Sequence, residues 1–163
     1  MPTLVHRADQ KDSKKIFNGG IAIGKGRQGI YCMPVLQNFY VSHQWLRELK
    51  RRGIKTFVGV YFKIGSSEIV FAGEYGKPHI KLTLGDAIKK IMSIQDPLGY
   101  ELIITRKIEP KEITKIKNLP QTIGWRYKPG SHGNSPCTCG FCQRGNIKGR
   151  KTISRLNAEE QDD

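Results

Sequence analysis

No stretch of this chain is apolar over the roughly 20 residues that a membrane-spanning helix needs. Met1 to Asp12 is polar and charged, without the apolar core of a signal peptide, so a cytoplasmic protein with no membrane partner is expected. Internal repeats and low-complexity tracts are missing, which excludes a solenoid. Acidic residues are scarce: 14 Asp and Glu stand against 28 Lys and Arg, a net charge of +14. No D-x-D or H-N-H spacing is present, which argues against a metal-dependent nuclease. Of only 4 cysteines, three crowd between Cys137 and Cys142, and Cys32 lies far away. That distribution suits metal ligation better than a disulfide framework.

What is present points to one folded domain with a basic extension. Apolar residues make up 37% of the chain and charged residues 26%, enough for a single core. Between Ile113 and Ala158 every charged residue is basic: Lys115, Lys117, Arg126, Lys128, Arg144, Lys148, Arg150, Lys151 and Arg155. Such a field concentrates polyanions, and nucleic acid is the expected partner. An acidic protein such as an antitoxin is the alternative. Trp125, Arg126 and Tyr127 interleave rings with charge, suited to stacking on bases and gripping phosphate; Lys128, Arg144, Lys148, Arg150 and Lys151 extend that surface.

His132, Cys137, Cys139 and Cys142 form an H-x4-C-x-C-x2-C pattern. Thiolates and imidazole are the donors that tetrahedral zinc prefers, and Gly133, Pro136 and Gly140 allow a tight wrap. With few apolar residues nearby, metal would supply the folding energy of this segment. Cys32 is the alternative fourth ligand. A closed four-ligand site is structural and not catalytic.

The remaining pattern is strand-rich α+β. Strands are expected at Thr3–His6, Ile30–Leu36, Lys55–Ile64, Glu68–Ala72, Tyr100–Thr105 and Ile113–Ile116. Helices are expected at Asp12–Asn18, at Ser42–Arg52 with Ser42 as cap, and at Leu84–Ile94. The basic GKGRQG loop, 24–29, has neither a Walker ending nor a Rossmann setting. His79 is expected in a solvent-facing turn.

Two segments, LVHRADQKDSKKIFNGGI (4–21) and GYELIITRKIEPKEITKI (99–116), resemble the opening and late segments of the ADP-ribosyltransferase superfamily, which includes NAD-dependent DNA-modifying toxins of bacteria. Between them GIYCMPVLQNFYVSHQWLREL (29–49) is similar to the family's middle strand, with its aromatic residue, and the helix after it. The resemblance implies a split antiparallel β-sandwich core with short helices over 1–120; the composition adds a basic zinc-stabilised loop extension over 121–156, packed on the core, and a flexible acidic tail at 157–163. The resemblance also implies NAD as co-substrate, with Glu101 orienting ribose hydroxyls and the nucleophile, His6 bonding the adenosine ribose and Tyr31 stacking on nicotinamide. Arg7, Lys25, Arg27 and His43 join His6 and Tyr31 as candidate NAD contacts, because basic side chains suit a pyrophosphate. The expected activity is ADP-ribosylation of nucleic acid in a toxin or defence setting. Alternatives are a non-catalytic zinc-containing nucleic-acid-binding protein, or an RNA phosphotransferase using Arg7, Arg27 and His43.

Overall fold

The computed structural model describes residues 1–49, 54–120 and 158. Seven strands form one antiparallel sheet in the order β5-β4-β6-β2-β1-β3-β7. They are β1 (Thr3–Asp9), β2 (Ile30–Pro34), β3 (Phe57–Lys63), β4 (Ile69–Glu74), β5 (Ile80–Thr83), β6 (Tyr100–Ile104) and β7 (Ile113–Asn118). The helices are short: α1 (Ser13–Gly19), α2 (Phe39–Ser42), α3 (Leu46–Leu49) and α4 (Leu84–Ser93). Among the described residues no helix is long and apolar enough to cross a membrane.

Both faces of the sheet are covered, which explains why β3 reads FVGVYF without polar interruption. Alternation sends Leu4, Cys32, Val60, Phe62, Leu102 and Ile104 into a first core. There α4 adds Leu84, Ala87 and Ile91, spaced by three and four residues along one helical face. Thr83 caps that helix by accepting from the Asp86 amide. Val5, Met33, Phe57 and Tyr61 face the other way, under Phe39, Tyr40, Trp45 and Leu46.

The central pairing is uneven. β1 runs in register with β3 from Thr3–Lys63 to Asp9–Phe57. Its ladder with β2 is confined to Leu4–Pro34 and Val5–Met33, and the sheet has a seam beyond those pairs. β2 then continues with β6 through Tyr31–Ile103 and Cys32–Leu102.

Two expectations change. The helix expected over Ser42–Arg52 is two short pieces within the described residues, α2 and α3, separated by His43, Gln44 and Trp45. Asn38 caps α2, accepting from Tyr40 and Val41, whereas the Ser42 hydroxyl is spent on Leu36. Strand β5 was not foreseen; its IKLT segment is half exposed and is held by pairing with β4. Cys32 is a free thiol with no exposed surface, and burial pushes it up to about 12. A metal ligand must be a thiolate, so the core disfavours Cys32 in that role. His132, Cys137, Cys139 and Cys142 lie outside the described residues, as do the basic and aromatic candidates Trp125, Arg126, Tyr127, Lys128, Arg144, Lys148, Arg150 and Lys151.

Candidate active site

Glu101 is the second residue of β6, and the strand's entry is clamped. The Gln44 side chain donates to Pro97 O at 3.1 Å and accepts from the Gly99 amide at 2.7 Å. Trp45 Nε1 donates to Tyr100 O at 2.8 Å. The turn between α2 and α3 therefore fixes the backbone on which Glu101 sits. A continuous helix would not present these side chains in that way, which gives the break at His43–Trp45 a positional role.

Strand register sorts the candidates. Tyr31 pairs with Ile103, and Ile103 is two residues from Glu101, so Tyr31 and Glu101 share one face. Arg7 alternates with Leu4, His6 and Ala8, and lies on that same face with Val5 and Tyr61. Glu101 is buried at 9% exposure, and Arg7 at 6%.

Arg7 is electrostatically unusual. Its Nη1 donates to Ser42 O at 3.1 Å, while Nε has no hydrogen-bond partner. Among the described residues it has no ion-pair partner either. Removing a cation from water costs several kcal/mol unless it is compensated, and burial lowers this guanidinium to about 10. Cys32, Glu101 and Tyr61 act against that shift.

His6 occupies the seam. Its Nδ1 donates to Tyr31 O at 2.7 Å, filling the carbonyl that the interrupted β1–β2 ladder leaves unpaired. Burial lowers the ring to about 4, with the Tyr31 bond opposing and Arg7 adding to the shift. The imidazole is then neutral at pH 7, with Nε2 as its acceptor. By strand alternation His6 belongs with Leu4 and Ala8, so it meets Tyr31 through the backbone and does not join Arg7 on the Glu101 face.

Arg27 lies in the exposed 24–29 loop, its guanidinium 5.8 Å from the centre of the Tyr31 ring, within cation–π range. Lys25 is exposed in the same loop. Arg27 and Lys25 thus add exposed positive charge in the loop beside Tyr31. His43 departs from the ligand role expected of it. It is fully buried, stacked on Phe39 at 4.1 Å, with Nε2 3.2 Å from the Tyr61 hydroxyl. Burial, and then Arg7, hold it well below the ordinary histidine range. A neutral ring without exposed surface anchors α2 to the sheet and does not meet a ligand.

His79 was missed as a site residue. It is half-buried, and its Nε2 stands 3.2 Å from Glu101 Oε1. Gly73 pairs with Glu101 across β4 and β6. A Cβ at Gly73 would come within 2.9 Å of His79 Cγ and 3.0 Å of its Cα. A glycine inside the IVFAGE strand is the sequence signal for such a close approach.

Among the described residues no group of three or more His, Cys, Asp or Glu side chains could hold a metal. Compared with protein-family models, curated proteins and solved structures, the chain matches none.

Proposed function

We propose that the chain is an NAD-dependent ADP-ribosyltransferase that modifies nucleic acid, in a cytoplasmic toxin or defence setting. The observation that carries this reading is the nearly buried Glu101 carboxylate on β6, sharing a face with Tyr31 and with the buried Arg7, whose Nε has no hydrogen-bond partner among the described residues. β1 and β2 pair at only two positions within the single seven-stranded sheet, and we read that short ladder as the division the family resemblance implies.

The donor set suits NAD chemically. Its pyrophosphate is anionic, and Arg7 is a buried cation with no ion-pair contact among the described residues, with Arg27 near the Tyr31 ring and Lys25 in the same exposed loop. The Tyr31 ring, on the Glu101 face, offers a surface to nicotinamide; His6, turned to the other face, supports Tyr31 through its backbone carbonyl. Bound NAD supplies an ADP-ribosyl group when its glycosidic bond breaks. Glu101 then opposes the positive charge developing on the ribose and accepts from the hydroxyls that orient it. Fixed charge in a poorly solvated site acts by placement, and that is where it is strongest.

The acceptor is read as nucleic acid because of the acid-free basic segment after Ile113. An acidic protein that covers this segment would be an inhibitor. The test is incubation of the full chain with labelled NAD and DNA, RNA or protein. Label on nucleic acid is expected; no label on any acceptor, with NAD left intact, overturns the reading.

Residues 121–156 are proposed to hold a structural zinc ion through His132, Cys137, Cys139 and Cys142. With Cys32 in the core, the soft-donor set is complete without it. Metal content measured by mass spectrometry is expected to be unchanged in Cys32→Ser and lost in Cys139→Ser. Chelation should expose the extension to protease while residues 1–120 stay protected. Loss of zinc in Cys32→Ser would reverse the assignment.

A further inference from the structure

His79 has no role in the scheme above, yet it lies against the carboxylate on which that scheme depends. Its Nδ1 is 3.0 Å from Lys77 O. A carbonyl only accepts, so Nδ1 carries a hydrogen and the ring's orientation is set by the backbone of its own turn. The other nitrogen, Nε2, then faces Glu101 Oε1 at 3.2 Å. Nitrogen and oxygen at that distance form an ion pair when the ring is protonated. The contact is off the axis of a well-formed hydrogen bond. Contacts of this kind tighten when substrate fills a site.

The backbone around it is cut to fit. Gly76 takes a left-handed conformation at φ 78°, turning the chain between β4 and β5 back over the sheet. Lys77 N closes that turn on Glu74 O at 3.0 Å. Gly73 leaves open the space that the imidazole fills. Thus a turn glycine, a strand glycine and a backbone carbonyl all act to bring one nitrogen to one oxygen.

We infer that His79 is a positioning residue that holds the Glu101 carboxylate in its working orientation, with Gly73 as the cut-out that admits it. With Oε1 engaged, the carboxylate plane cannot rotate freely, and the second oxygen keeps a fixed direction on the Tyr31 and Arg7 face. The inference rests on the proposed transferase role of Glu101, but the contact itself has an independent readout.

The experiment uses the full chain with 13C-labelled glutamate and compares His79→Leu, His79→Gln and Gly73→Ala. The Glu101 Cδ resonance is assigned by its absence in Glu101→Gln. It is expected to move in His79→Leu, which removes the donor, and in Gly73→Ala, which crowds the ring without altering it. It should stay in place in His79→Gln, whose amide N–H reaches the same oxygen. In parallel, kcat for transfer should fall about 10- to 100-fold in His79→Leu, as expected for a displaced catalytic group, with KM for NAD within about twofold. His79→Gln should keep kcat within about threefold. Equal behaviour of the Leu and Gln variants, or a Cδ signal indifferent to all three substitutions, overturns the inference. If the wild-type chain transfers nothing, the transferase reading fails, and the Cδ signal alone decides whether His79 holds Glu101.

Discussion

Glu101→Gln is expected to lower ADP-ribosyl transfer by about 10²–10³-fold, the loss typical when a preorganised electrostatic group is removed. The substitution keeps the shape of the side chain and removes its charge. Because Glu101 is buried at 9% exposure, that charge is poorly screened by water, and its loss is felt fully at the reacting ribose. Affinity for nucleic acid should persist, since the basic residues credited with it are elsewhere in the chain. Initial rates with labelled NAD measure the first effect. Fluorescence anisotropy at several salt concentrations measures the second, and a steep salt slope would report phosphate contacts. Transfer that survives in Glu101→Gln would remove Glu101 from the mechanism.

Acid is expected to destabilise the fold well above the ordinary carboxylate range. His6 is lowered to about 4 in the folded chain, and His43 lies well below 6.5, both chiefly by burial. In the unfolded chain each would take a proton near pH 6.5. Between these values the unfolded state binds protons that the folded state does not, so stability falls as pH drops from about 6.5 toward 4. One pKa unit is about 1.4 kcal/mol, so His6 alone removes on the order of 2–3 kcal/mol by pH 4. Glu112 acts lower: the Arg106 hydrogen bonds depress its carboxyl, so its contribution is present above about 4.5 and lost beneath it. Guanidinium unfolding at pH 7.5, 6.0 and 5.0 tests this. The wild type should weaken steadily, and His43→Asn and His6→Asn should each flatten the slope whatever their stability at pH 7.5. A wild-type midpoint constant from pH 7.5 to 5.0 would contradict the burial of both rings.

Much of the fold was legible along the chain. β3 was expected from KTFVGVYFKI because Phe57, Val58, Val60 and Tyr61 are β-formers. A helix was expected at Leu84–Ile94, and α4 occupies Leu84–Ser93 with Leu84, Ala87 and Ile91 on its buried face. β5 and the break after Ser42 were not legible. IKLT has no burial pattern of its own, and the 42–45 turn is stabilised by bonds from Gln44 and Trp45 to Pro97, Gly99 and Tyr100, more than fifty residues away.

The site divides in the same way. Tyr31 and Glu101 were nominated from the sequence, and β2 and β6 carry them on one face. The fold seals His43 beneath a helix and sets His79 against the Glu101 carboxylate, and local sequence does not say which histidine will do which. Arg7 and His6 are adjacent in sequence, yet strand alternation separates them: one is a buried charge on the Glu101 face, the other a bridge across the seam.

By itself the sequence determined the strand-rich α+β character, the excess of positive charge and the soft-ligand cluster after Pro120, since each follows from which residues are present and how closely they are spaced. Only the tertiary structure decided that Cys32 is core, that Arg7 is a buried cation on the Glu101 face, and that Gly73 makes room for His79 beside Glu101. Those properties depend on desolvation and on contacts between distant strands, and neither is a property of a residue's neighbours along the chain.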